Sequence, residues 1–213
     1  MPGLFIKSNA ALEVSRPKIK LVDAGTYLGA IIGAFPLGLI PSIFDADPGK
    51  PHYQGKKVQD TILLTFELDE LIEDEGEFKG KRYVVSQDYT FSIYEKANLT
   101  KVLAAASPAL DLDSIREEVD NGEDFDILPH ILHKTMHVTI IHRKSKDGEK
   151  TYVNVASCGP KLKSTPDLVI ENVDFVEPAF VQKRREKCIE ASQIETMPAV
   201  SPDSKESEGK VPF

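Results

Sequence analysis

"AGTYLGAIIGAFPLGLIPSIF", Ala24 to Phe44, contains no charged residue and spaces Gly25, Gly29 and Gly33 four apart. Its reading decides the fold. About 20 apolar residues cross a bilayer core as a helix, and glycines at this spacing let two membrane helices approach closely. Three features oppose that reading. Pro36 and Pro41 each remove a backbone donor and clash with the preceding turn. Gly25, Gly29, Gly33 and Gly38 each cost a helix roughly 1 kcal/mol relative to alanine. No basic cluster marks one flank as cytoplasmic. The stretch is therefore read as a strand from about Gly25 to Phe35. Glycine inside a strand marks a bulge or a bend at a barrel corner, so repeated glycines would let a first strand coil around a small closed barrel.

The totals narrow the rest. A chain of 213 residues predicts one domain plus an appendage. The net charge of −8 means that a uniformly mixed surface would repel nucleic acid and anionic lipid. Nucleic-acid binding therefore requires cations segregated from the acids. Cys158 and Cys188 form no CxxC, which supports neither a zinc site nor a disulfide framework. Reduced thiols in a cytoplasm are the simpler reading. Residues 1–18 lack the basic start, apolar run and cleavage site of a signal peptide. Cytoplasmic location with no membrane partner is the expectation.

Outward from the glycine strand, residues 1–23 read as an N-terminal extension. Pro41–Lys57, rich in Pro, Gly and Asp, reads as a long loop. Val58–Leu68 alternates, with Val58, Asp60, Ile62, Leu64, Phe66 and Leu68 on one face, so a second strand is expected there. Acids from Glu67 to Glu77 predict a solvated hairpin. "KRYVVSQDYTFSIYEK", Lys81–Lys96, reads as a long third strand with Tyr83, Val85, Tyr89, Phe91 and Ile93 facing the core. A helix begins near Asn98 and stops before Pro108. A second starts after Asp111 or Asp113 and ends at Gly122. Phe125–Thr135 is a connector. Met136–Gly159 is a hairpin turning at Asp147-Gly148. Residues 166–190 form an extension with a basic cluster. Residues 191–213, rich in Ser, Pro, Glu and Lys, cannot bury enough apolar surface to order themselves and read as a flexible tail ending in Pro-Phe.

Three strands, helices, then two strands is the order of an OB-fold. The predicted fold is mainly β: a five-stranded OB-fold Greek-key barrel over 24–165, with a helical insertion between strands 3 and 4 and a disordered C-terminal tail. Such barrels bind oligonucleotides and oligosaccharides on the face of strands 2–3 and in the loops after strands 1 and 4. The first of these loops holds Lys50, Tyr53, Lys56 and Lys57. The second holds Arg143, Lys144, Lys146 and Lys150, and Lys161 and Lys163 follow it, against only Asp147 and Glu149. Lysine and arginine neutralise phosphates and release counterions. Aromatic faces stack on unpaired bases. Tyr53, Tyr94 (with Lys96 beside it) and Tyr152 are the stacking candidates. Tyr83, Tyr89 and Phe91 are assigned to the core.

Enzyme readings find little support. His130, His133 and His137 do not share a helical face, because Pro129 precedes them and His137 opens a strand. Ser157-Cys158-Gly159 is not a nucleophile elbow, and no P-loop is present. No catalytic residue, metal or cofactor is assigned.

Four runs carry a family resemblance: "DAGTYLGAIIGAFPLG", "GKKVQDTILLTFEL", "YTFSIYEKANLTKVL", and "FDILPHILHKTMHVTIIH" with "KTYVNVAS". In this order, over about residues 20–165, they resemble single-stranded DNA-binding proteins of bacteriophages, of OB-fold type. Ser86–Leu99 is the most distinctive part. The resemblance implies non-enzymatic, sequence-tolerant binding of single-stranded DNA in phage replication or recombination, without a cofactor. The end, Val211-Pro212-Phe213, is similar to the Pro-Phe tip of the acidic tail with which bacterial single-stranded DNA-binding proteins dock partner enzymes. It departs from that pattern in Lys205 and Lys210 and in lacking an Asp triplet. Phe213 is the partner-binding candidate, with replication or recombination proteins as the partners. The alternative is an OB-type interaction or structural module that binds no DNA.

Overall fold

The computed structural model of the protein describes residues 20–45, 47, 50–190 and 193–196. The glycine-rich stretch is a strand, and it does not stop at Phe35: β1 runs Gly25–Asp45. Its first part, Gly25–Ala30, pairs antiparallel with β5 (Thr135–Lys144). From Gly29 onward it pairs with β3 (Lys56–Leu71). One strand thus serves two neighbours in succession. Beyond Ala30 only one edge of β1 is paired within the ladder. That is why Pro36 and Pro41, each lacking an N–H, are accommodated there opposite Ile62 and Val58. The register slips between Ile31 and Gly33 and between Pro36 and Gly38, and Gly38 takes φ +87°. Bulges of this kind bend a strand and deepen its twist.

Gly29 has a different task. A Cβ there would lie 2.8 Å from Cγ2 of Val138 and 3.2 Å from the Glu67 carbonyl oxygen. Of the spaced glycines, Gly29 permits close packing between strands, whereas a Cβ at Gly33 would meet the Phe35 and Phe175 rings and one at Gly25 only Tyr27 at 3.6 Å. Among the described residues no helix is long and apolar enough to cross a membrane.

The expected long loop from Pro41 to Lys57 is corrected. The chain pairs up to Asp45, and β2 (Pro51–Tyr53) then turns through Gln54-Gly55 into β3. Gln54 (φ +48°) and Gly55 (φ +73°) supply the left-handed pair that a tight hairpin turn requires. The third long strand, β4 (Arg82–Thr90), is shorter than expected. After the Phe91 N–H donates to the Asp60 carbonyl, Ser92 turns back onto Thr90, and Phe91 is left 40% exposed instead of in the core.

Two helices follow as anticipated, α1 (Asn98–Ala106) and α2 (Leu112–Asp120). The Asp111 carboxylate accepts from the Asp113 and Ser114 N–H groups and caps α2, while Gly122 at φ +89° closes it. The connector holds a short helix, α3 (Leu128–Ile131). The final hairpin is β5 with β6 (Thr151–Pro160), turning at Asp147-Gly148.

All strands belong to one antiparallel sheet in the order β6-β5-β1-β3-β2-β7, with β4 on the other edge of β3. β4 and β6 are not paired as strands. The Gln87 side chain reaches between them, its Oε1 accepting from Val155 N at 3.3 Å and Asn154 Nδ2 at 3.4 Å. The inner face of the sheet and α1 enclose the main core, built on Ile31, Phe66, Leu68, Leu99, Leu103 and Met136.

The expectation of one apolar face on β3 is also corrected: Thr61 through Leu68 are all buried. Their outer face is covered by residues 166–190, which form no free extension. Val181 of α4 (Ala179–Arg185) packs on Leu37 and Leu63 in a second small core. Arg184 makes a bidentate pair with Asp88 at 2.8 and 2.6 Å. Ile189 N donates to Leu39 O. Glu195–Thr196, expected in the tail, pairs with Pro51–His52 as β7. Residues 197–213, Phe213 among them, and residues 1–19 lie outside the described residues.

Candidate nucleic-acid interface

The β5–β6 hairpin is built by its turn. Asp147 Oδ1 accepts from Glu149 N at 3.0 Å and from the Ser145 hydroxyl, and Gly148 takes φ +76°. These contacts hold the Asp147 carboxyl below its usual range, the Ser145 hydrogen bond first. The acid nearest the tip is thereby committed to the turn. Among the described residues, the side chains of Arg143, Lys144, Lys146 and Lys150 make no hydrogen bond or ion pair. All four are exposed.

About half of the other described lysines and arginines have acidic partners. Lys20 pairs with Asp23, Lys79 with Glu75, Arg116 with Asp113 and Arg185 with Glu177. The hairpin therefore holds cationic charge that the fold has not neutralised. Tyr152 lies at its base, directly across the ladder from Arg143 and half exposed.

The other candidates divide. Lys50 and Lys57 are exposed at the β2–β3 hairpin, Tyr53 is half-buried there, and Lys56 is spent on Asp45. The two hairpins lie at opposite ends of β4. Arg82 begins that strand beside the start of β6, and Thr90 ends it opposite Thr61, five positions from Lys56. A strand of nine residues is roughly 30 Å long, so the structure does not bring the two lysine groups into one patch. Tyr94 stands apart from both. Its hydroxyl donates to Asp120 at 2.7 Å, which raises its pKa, and Glu123 and Asp124 are near neighbours in the same cleft. Lys96 is exposed close by in sequence. Lys161 donates to the Thr165 carbonyl at 2.7 Å and pairs with Asp167, so it ties down its own loop.

The outer face of β3–β4, where the sequence reading placed the ligand, is occupied. Glu67 has no exposed surface. Its carboxylate accepts from Glu171 N, Asn172 N and Asn172 Nδ2 at 2.8, 2.9 and 2.6 Å and faces Arg82 at 3.5 Å. With Asp88 paired to Arg184, the carboxylates beneath this cover are already engaged by the chain's own residues.

A groove of about 790 Å³ opens instead between the start of β4 and the start of β6. Tyr83 and Tyr152 line it, with Phe78, Lys20, Lys81 and Arg82. Sequence reasoning missed this wall. Its signal was "KGKRY", Lys79–Tyr83, where cations run directly into an aromatic at a strand's start.

Among the described residues no cluster of His, Cys, Asp and Glu could hold a metal ion. Burial pushes the Cys158 thiol up to about 12, so it is no nucleophile at neutral pH. No family model, characterised protein or solved structure matches the chain.

Proposed function

We propose that the protein binds single-stranded DNA without regard to sequence and performs no catalysis. The observation that carries this reading is the β5–β6 hairpin: four exposed cations without acidic partners among the described residues, adjoining a half-exposed tyrosine, in a chain of net charge −8. Cations of this kind release counterions from phosphate, and the adjacent aromatic suits unpaired bases. The strand order supports an OB-type barrel, with a long bent first strand shared by two neighbours and helices between the third and fourth long strands. The seam at Gln87 is then the place where the barrel closes. The phage setting, the role in replication or recombination, and partner docking through Phe213 rest on the sequence resemblance alone.

A second reading is favoured by the covered face of β3–β4: an OB-type module that serves protein contacts and binds no DNA. One titration separates the two. Labelled oligo-dT and a duplex of equal length are titrated at low and high salt. Single-strand preference that weakens with salt supports the first reading, and no binding at low salt supports the second.

A further inference from the structure

Lys20, Lys81 and Tyr83 lie in sequence far from the β5–β6 hairpin, yet the fold sets them around one groove with Tyr152. Its 790 Å³ falls within the roughly 300–1,000 Å³ of clefts that hold small organic groups. The groove exists because the ladder between β4 and β6 is missing here. Gln87 bridges the strands at Asn154 and Val155, and among the described residues β4 and β6 do not pair toward their starts.

The chemistry of the walls is mixed. The floor is apolar, from Val22, Ile72 and Val85. The Lys81 ammonium lies 5.3 Å from the Phe78 ring centroid and is exposed. At the inner end Arg82 faces Glu67 and Glu171 at 3.5 and 3.2 Å, which offset its charge, while its buried Nη1 makes no hydrogen bond among the described residues. Tyr152 stands at the rim, on the side where Arg143 and the hairpin cations begin.

We propose that this groove receives an unpaired nucleobase of the bound strand. The base stacks on Tyr152, its phosphate lies toward Lys81, and the strand continues onto the β5–β6 hairpin. This rests on the single-strand-binding reading above and adds the site at which bases, as distinct from phosphates, are gripped. It also moves the ligand from the β3–β4 face to the β4–β6 seam. The walls together favour this occupant over an acidic or apolar peptide: Lys81, without an acidic partner among the described residues, suits a phosphate and not an apolar chain, and an aromatic beside an apolar floor suits a base and not a carboxylate.

The test compares oligo-dT with an abasic oligomer of the same length, which keeps the phosphates and lacks the bases. Tyr152→Ala is expected to lower oligo-dT affinity about 5- to 100-fold, the equivalent of one lost stack, and to leave abasic binding unchanged. Tyr152→Phe keeps the ring and is expected to bind as wild type. Lys81→Ala is expected to weaken both ligands and to reduce the salt slope by about 0.7. The chain contains no tryptophan, so Tyr152→Trp adds an indole probe whose emission should change on oligo-dT and not on the abasic oligomer.

The proposal is overturned if Tyr152→Ala and Lys81→Ala bind oligo-dT like wild type while Lys144→Glu with Lys146→Glu does not. In that case single-strand binding stands and the groove is excluded. An indole emission unchanged at saturating oligo-dT overturns it as well. A wild-type protein that fails to bind oligo-dT at low salt removes the groove and the parent reading together.

Discussion

Glu67 is a carboxylate inside the sheet, and its surroundings show what it does. Three N–H donors from residues 171 and 172 and the Arg82 guanidinium surround it. Removing one partner of such a group strands the others without water. Glu67→Ala is therefore expected to cost about 3–5 kcal/mol, read as a drop in urea midpoint. Glu67→Gln keeps an acceptor and should cost less, about 1–2 kcal/mol. An unchanged midpoint in the alanine variant would show that the 171–172 segment is not held there. Cys158 gives a prediction with pH. Its ordinary value of 9.0 is raised to about 12 by burial beside Tyr89. The folded state thus keeps a proton that the unfolded state loses above pH 9. That contribution is full below about 9, and stability falls as pH climbs toward 12. Cys158→Ala should flatten the fall between pH 8 and 10.5, and a variant that loses stability as steeply as wild type would assign it to other groups. Residues like these were invisible in the sequence. Glu67 reads as the first acid of a solvated run, and its hydrogen-bond donors, Glu171 and Asn172, come more than a hundred positions later.

Elements with a local signature were readable, and elements defined by what covers them were not. The β5–β6 hairpin declares itself by alternation around Asp147-Gly148, and α2 by Asp111 and Gly122, because the needed chemistry lies within a few residues. The length of β1, expected to end near Phe35, was misjudged for the opposite reason. Pro36 and Pro41 are tolerated because that edge carries no second strand among the described residues, which is a property of the sheet and not of the segment. The cover formed by α4 was missed in the same way. Its hold on the sheet can be dissected by magnitude. Val181 has no exposed surface and Val181→Ala should cost about 1–3 kcal/mol. The Arg184–Asp88 pair is partly exposed and should contribute under about 1 kcal/mol. Hydrogen exchange should therefore show residues 166–190 loosened far more by Val181→Ala than by Arg184→Ala, and the reverse order would make the ion pair the anchor. Within β1, Gly29→Ala should cost about 1–3 kcal/mol by overpacking against Val138, checked by the same denaturation curve.

For the molecule as a whole, the two clusters of cations drawn from the sequence proved to stand at opposite ends of β4. Only one of them, on the β5–β6 hairpin, adjoins the aromatic groove. The β3–β4 face, the expected platform, is sealed by the chain's own residues 166–190. The overall plan of long strands and intervening helices was legible because each strand and turn carries its own pattern. The path of a ligand was not, since it depends on which face the C-terminal segment covers. The central claim is that unpaired strands bind through the uncompensated cations of the β5–β6 hairpin. The most direct measurement is the salt dependence of oligo-dT affinity for wild type and for Lys144→Glu with Lys146→Glu. The wild type should bind single strands better than duplex with a steep salt slope, and the double variant should bind more weakly with a slope reduced by at least about 1.4. Equal affinities and equal slopes in the two proteins would contradict the account.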